Sequence, residues 1–306
     1  QATMGEVLEF EAEGGDEEVS DEKRDDIEEV LNYRQAMRRA EEMLKELPLC
    51  QRIVKETHAV LLDGVRGHNK APGEYRRVPN WIGPPGCTIE EARYVPVSAD
   101  ALPAAMGRWE RYIHEDTPDR LVQLAVLHAE FEALHPFLDG NGRLGRMLVP
   151  LFMAKRKLLH EPMFYISAFF EHNRDEYYER LLAVSRDDNW TQWVAFFLKA
   201  VKEQAEQNQA KAQAIRDLYD ETTRRIAEIS HSQYAVHATE FLFRRPIFRA
   251  SDFYRAPSMT PASGRRILNL LQENNFFRVL RPASGRRPAI MAYRELLNIA
   301  EGREVL

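Results

Sequence analysis

Between Asp25 and Ile229 the apolar residues of this 306-residue chain recur three and four apart, and one Gly- and Pro-dense stretch, 64–103, interrupts them. That period buries one face of a helix and does not suit a strand. Segment 25–47 carries Ile27, Val30, Leu31, Ala36, Met37, Ala40, Met43 and Leu44 on one face, and a second helix runs from Leu49 to Leu62 after Pro48. Helices are predicted again over Ala104–His114, Asp119–Leu134, Arg174–Ser185 and Trp190–Glu206. The apolar run RMLVPLFMAKRKLL reads as a buried helix, with Pro150 removing one of its hydrogen bonds and kinking it. A weak heptad seam over 201–229, with Ile215, Thr222, Ile226 and Ile229 among its members, suits a long connecting helix. It would serve a homodimer or pack on the chain's own N-terminal helices. The 64–103 stretch reads as an ordered loop with one short hairpin around Ala92–Val97, and so long a loop in a compact domain is usually functional.

The last 70 or so residues have a different order. Val236–Phe243, Arg249–Tyr254 and Thr260–Gln272 are short helices, and FFRVLRPASGRRPAIMAY reads as strand, turn, strand. Three helices and a hairpin is winged-helix order, with its boundary near residue 232. From Glu240 onward there are twelve Arg, no Lys and six acids, whereas residues 6 to 29 are crowded with Glu and Asp. A basic end on a chain of net charge −6 raises the question of nucleic acid, against the plainer reading of a solvated basic face. No apolar run approaches the roughly 18 to 20 residues of a membrane span. Two cysteines, Cys50 and Cys87, make no disulfide framework, and a reducing cytoplasm is the expected location.

The chemistry concentrates in HPFLDGNGRLGR, residues 135–146. Gly140 and Gly142 flank Asn141 just before a helix that begins near Arg143. Glycines free the backbone to turn its N–H groups toward one point, and a helix N-terminus adds unpaired donors and a positive dipole end. Together they make an anion nest. Arg143 and Arg146 share one side of the first turn and can clamp two phosphates. Asp139 precedes the nest, where it can hold a Mg²⁺ bridging phosphate oxygens. His135 closes the preceding helix and is expected to take a proton near neutral pH. Such a set suits group transfer from a nucleotide to a hydroxyl. A rival reading uses His128, Glu132 and His135, four and three apart on one helix face, as metal ligands of a hydrolase. It leaves the glycines and arginines without a task, and a buried, hydrogen-bonded His128 is the plainer reading.

HPFLDGNGRLGR resembles the signature of the Fic domain, HxFx(D/E)GNGRxxR, with His135, Phe137, Asp139, Gly140, Asn141, Gly142, Arg143 and Arg146 at its constrained positions. GEYRRVPNWIG (73–83) and EARYVPVSAD (91–100) resemble the segments before and within that family's flap. The resemblance implies a mainly α fold: N-terminal helices (1–48), a Fic-type helical core with a short β-hairpin flap (49–200), a connecting helix (201–232) and a C-terminal winged-helix domain (233–306). It implies adenylylation, the transfer of AMP from ATP, with Mg²⁺, to a Ser, Thr or Tyr hydroxyl of a protein target, the chain itself included. His135 would deprotonate the hydroxyl, Asp139 would hold Mg²⁺, and the backbone of Gly140, Asn141 and Gly142 would bind phosphates with Arg143 beside them. Arg146 would orient the γ-phosphate.

By the same resemblance, Tyr177 and Tyr178 would border the adenine, and Ser185 stands where some members carry an adenine-binding Asn. Tyr94, Val95 and Pro96 would dock the target by strand addition. The subgroup's inhibitory motif, (S/T)xxxE(G/N), has no copy in residues 1–30, and without its Glu on Arg146 the chain is expected to be unrestrained. Arg265 and Arg266 on the recognition helix and Arg286 and Arg287 in the wing suit DNA phosphates, while winged helices also dock proteins. The rival from another class is a nucleotide-sensing, DNA-binding regulator with a Fic-like core.

Overall fold

The computed structural model describes residues 2–14, 20–84, 86–285 and 287–305. Its helices in chain order are α1 (Met4–Glu13), α2 (Asp21–Glu46), α3 (Gln51–Leu61), α4 (Leu102–His114), α5 (Arg120–Leu134), α6 (Asn141–Lys155), α7 (Ser167–His172), α8 (Arg174–Asp187) and α9 (Trp190–Ser230). They continue with α10 (Ala235–Arg244), α11 (Ala250–Tyr254), α12 (Pro261–Glu273) and α13 (Arg294–Glu301). Three short strands, β1 (Ile247–Arg249), β2 (Arg278–Arg281) and β3 (Ile290–Ala292), complete the set. The fold is mainly helical, as the periodicity requires. The chain divides into two units, residues 28–206 and residues 1–27 with 207–306.

The 28–206 unit is a helical core around α5 and α6. Phe131, Phe137, Phe152, Trp193 and Phe197 are all but fully buried there. Buried polar ends are paired, with Trp109 Nε1 donating to Leu127 O and Trp193 Nε1 donating to Ala125 O. Asp119 starts α5 by accepting the Leu121 and Val122 N–H groups, at 2.8 and 3.1 Å. Helix α6 runs on through Pro150, which is buried within it. The expected hairpin near 92–97 is reduced to one antiparallel bridge, Ile82 with Tyr94. Gly83, Pro84 and Gly86 on one side and Pro96 on the other leave too few donors and too little stiffness for a longer ladder.

The other unit carries α1, α9 from residue 207 onward, α10 to α13 and the three strands. Its sheet runs β1-β3-β2, all antiparallel. Thr260 caps α12, accepting the Ser263 N–H at 3.3 Å, and Pro261 opens it. The first 14 residues pack in this unit, because α1 lays Leu8 and Ala12 on the outer face of the sheet beside Ile247, Ile290 and Leu297. Buried Glu13 pairs with Arg281 at 2.6 Å, and Arg249 Nε donates to Ala12 O at 2.6 Å. The seam on α9 packs on the chain itself, with Val201 in the core cluster that holds Ala36, Ala40 and Met43 of α2. Ile215, Ile226 and Ile229 join the core of this unit, and the Thr222 hydroxyl bonds Tyr293 Oη at 2.6 Å.

The basic face is partly spent within this unit. Arg266 donates to Ser230 O at 2.9 Å, and Arg265 lies over the Tyr254 ring. Arg287 is exposed, and Arg286 lies outside the described residues.

Candidate active site

The site forms where α5 gives way to α6. His135 ends α5 in the left-handed region, φ 45° and ψ 59°, with its N–H donating to Phe131 O. A residue with a side chain pays roughly 1–2 kcal/mol for that conformation, so the surroundings must hold it. Buried Arg76 does much of this. Its Nε donates to His135 O at 3.0 Å, its Nη2 reaches Leu134 O at 3.4 Å, and Asn80 Nδ2 also donates to His135 O, at 3.4 Å. These donors meet the negative end of α5.

The His135 ring is half-buried, with Nδ1 3.3 Å from Glu132 O. A carbonyl only accepts, so Nδ1 carries the proton and Nε2 keeps its lone pair. Burial holds the imidazole well below its usual range, at about 4; the Glu132 carbonyl raises it, nearby Arg76 lowers it and the Asp139 charge raises it. The ring is therefore neutral and accepting at neutral pH, and it is a weaker base than a histidine poised near neutrality.

Residues 137–142 are shaped by Asn141. Its buried amide accepts the Phe137 N–H at 2.8 Å and donates to Phe137 O at 2.8 Å. The side chain is thus internal, and only its backbone remains for a ligand. Gly140 turns the chain at φ +76°, a left-handed value that glycine accommodates without strain. The first bond of α6 runs from Leu144 N–H to Gly140 O, so the amides of Asn141, Gly142 and Arg143 have no partner within the helix. Asp139 accepts the Gly140 N–H at 2.5 Å and keeps a partly exposed carboxylate. It is one acid at the mouth of a nest. Among the described residues no three His, Cys, Asp or Glu side chains gather as a metal cluster. A lone carboxylate fits Mg²⁺, which commonly takes one or two protein oxygens and completes its shell with phosphate and water.

The two arginines differ. Arg143 lies 3.2 Å from Glu29 of α2 and 3.8 Å from Asp139, yet both its terminal nitrogens are buried without a hydrogen-bond acceptor among the described residues. Glu29, also 3.4 Å from Arg66, is an acidic partner that the sequence reading did not foresee, and it stands on Arg143 rather than Arg146. Arg146 makes no ion pair among the described residues; its charge acts on Glu132, Tyr33, His128 and Tyr177. Glu132 lies against Gly145, with Oε1 buried and without a hydrogen-bond partner among the described residues. Burial pushes its carboxyl up to about 7, and the Arg146 charge opposes that.

The Glu132 shift has a testable sign. The folded chain keeps a proton that the unfolded chain releases near pH 4.5, so this group's contribution to stability falls as pH rises from there to about 7 and then levels. His58, His128 and His135 slope the other way, since each is held neutral below its usual range. Glu132→Gln therefore isolates the carboxyl. Thermal unfolding across pH should show the variant gaining on the wild type between about pH 4.5 and 7. A constant difference would mean that the carboxyl titrates normally.

The outlying site residues separate. Tyr177 is core: its hydroxyl donates to His128 Nε2 at 2.9 Å and its ring stacks on Phe170. Tyr178, one helical step on, is exposed. Ser185 lies near the Tyr94 hydroxyl, beside the flap. Val95 is exposed and Pro96 buried. His128 has both nitrogens engaged, the second 3.3 Å from Gly145 O, which removes it from any ligand set with Glu132 and His135.

A helical core that presents acid, glycine nest and two arginines between two helices defines a class. Residues 48–153 match the model of the Fic/DOC family. A probable protein adenylyltransferase of Aquifex aeolicus is 40% identical over 47 residues, 15% of this chain and 15% of that protein. The protein adenylyltransferase Fic of Drosophila grimshawi is 26% identical over 138 residues, 43% of this chain and 26% of its own length. The chain thus spans about a quarter or less of these curated relatives. A Fic family protein from Desulfovibrio desulfuricans G20 shares the fold at a TM-score of 0.58 and 19% identity, over 96% of this chain and 81% of its own. Fic-1 from C. elegans does so at 0.50 and 18%, over 66% and 56%.

Proposed function

We propose that this protein is an adenylyltransferase, moving AMP from Mg·ATP to a protein hydroxyl and releasing pyrophosphate. The observation that carries the reading is the buried, unsatisfied Arg143 guanidinium beside the unpaired amides of the first turn of α6. A buried guanidinium that has carboxylates nearby but no hydrogen-bond acceptor is only partly satisfied, and an anion with several oxygens would serve it and the amides at once. In this reading the unpaired amides of Asn141, Gly142 and Arg143 bind phosphate, Gly140 makes the turn that presents them, and Arg146 orients the terminal phosphate. His135 Nε2 accepts the proton of the attacking hydroxyl. Asp139 would hold Mg²⁺, which when bound neutralises phosphate charge. Tyr178 is the better-exposed neighbour for an adenine, and Val95 offers backbone and side chain to an extended target. Catalysis then rests on positioning and charge neutralisation.

Glu29 opposes the phosphates for Arg143, so nucleotide binding has to draw the guanidinium away from a carboxylate. Arg143→Met separates function from stability. Mg·ATP affinity should fall by about 10- to 100-fold, the worth of a charge-assisted pair. The melting temperature should change little, because the guanidinium lacks hydrogen bonds and Glu29 keeps Arg66 at 3.4 Å. Calorimetric titration and thermal unfolding check both, and a large loss of stability would make Arg143 structural.

The test of the reading is intact-mass analysis after incubation with Mg·ATP, alone and with candidate protein targets. A gain of one AMP supports it, and its absence under all conditions contradicts it. The same assay with UTP reads donor selectivity. The rival, a DNA-binding regulator, draws on the helix–turn–helix of α11 and α12 and on exposed Arg287. The commitment of Arg266 to Ser230 O weakens it. A salt-dependent gel shift with random duplex reads it directly.

A further inference from the structure

His58 has no part in the scheme above, and it lies 81 residues from the loop it touches. Its side chain on α3 is fully buried. Nδ1 accepts the Gly73 N–H at 2.9 Å, and Nε2 lies 2.9 Å from Asp139 O. An amide only donates and a carbonyl only accepts, so these partners fix a neutral ring with its proton on Nε2. The ring also stacks on Phe137, centroids 3.7 Å apart and planes within 11°. A Cβ on Gly140 would come within 3.2 Å of Nε2. One imidazole thus touches Phe137, Asp139 and Gly140, and through Gly73 it ties them to the 64–101 segment.

The bond it makes is placed to matter. The peptide joining Asp139 to Gly140 is planar, so its C=O and N–H point opposite ways. Holding the carbonyl on His58 aims the Gly140 N–H at the other side, where it meets the Asp139 carboxylate at 2.5 Å. The orientation of that peptide therefore sets both the carboxylate and the start of the amide nest. Space-filling alone would need neither hydrogen bond, and a leucine would stack on Phe137 as well.

We infer that His58 is a positioning residue: its imidazole clamps the Asp139–Gly140 peptide and so fixes where the acid and the following amides stand toward a nucleotide's phosphates. The clamp stands on the contacts themselves; what it positions rests on the adenylyl-transfer reading.

His58→Gly leaves a space shaped like the ring, and small heterocycles can be added back. In the full chain, kcat/KM for Mg·ATP should fall by about tenfold or more. Imidazole, with a donor and an acceptor, should restore much of it; 1-methylimidazole, which fills the space but has no N–H, should not. Equal rescue by both, or by neither, overturns the inference. His58→Gln and His58→Leu give a second comparison. Glutamine can still donate to Asp139 O and should keep more activity than leucine at similar melting temperature, whereas equal activities overturn the clamp. If the wild type transfers no AMP, the transfer reading falls by itself. The clamp is then read from deuterium uptake over residues 137–142 without nucleotide. Uptake should rise in His58→Gly and be reversed by imidazole only, and unchanged uptake overturns it.

Discussion

His135→Ala is expected to lower AMP transfer by about 10²- to 10⁴-fold, the usual worth of a positioned acid–base group. Mg·ATP binding should persist, because the nest and arginines are built from residues 139–146. The backbone at 135 is held from outside, by Arg76 and Asn80 on its carbonyl, so the loop should survive the loss of the ring. The wild-type pH profile carries a second expectation. Since burial holds the imidazole at about 4, its acid limb should lie near pH 4 to 5 and not near 6.5, and transfer should be flat through neutrality. A limb near pH 6.5 would mean that nucleotide or target restores the ring's ordinary basicity. An alanine variant with undiminished transfer would remove His135 from the chemistry.

The second large effect is structural and catalytic together. Asn141→Ala removes an amide that satisfies Phe137 at both its N–H and its carbonyl. The carbonyl retains Asn80 Nδ2 at 3.2 Å, but the buried N–H is orphaned. An orphaned buried donor costs roughly 1–3 kcal/mol, and the cavity adds to it. A fall in melting temperature of several degrees is expected, together with loss of transfer by about 10²-fold, since a displacement of about 1 Å at the nest is enough. Asn141→Asp keeps the acceptor for the Phe137 N–H but sets a carboxylate against Phe137 O and against incoming phosphate. It should restore part of the stability and none of the transfer. Denaturant unfolding paired with the mass assay separates the two losses, and an Asp variant that transfers normally would contradict the loop-clamp account.

The local geometry of the candidate site was legible in the sequence because its parts lie close together along the chain. Glycines 140 and 142, the helix start and the 143/146 spacing fix one another within two turns. What stayed hidden comes from afar. Glu29, Arg76 and His58 reach the loop from segments whose own spacing gives no reason to prefer them over neighbouring charges. Tyr177 and Tyr178 could not be told apart by type; one helical step, about 100°, sends the first into the core and leaves the second outside. The seam on α9 was visible as a period, but a period names no partner: Val201 joins the core of the 28–206 unit, and Ile215, Ile226 and Ile229 join the core of the other. Likewise the basic count near the C-terminus could not foresee that Arg281 pairs with Glu13 and Arg249 binds Ala12 O.

The most direct test of the whole account is to supply the full chain with Mg²⁺ and ATP labelled at the α-phosphate, and in parallel at the γ-phosphate. Protein that retains label from the α position alone, and loses that labelling in His135→Ala, is the predicted result. Label arriving from the γ position, or from neither, would contradict it.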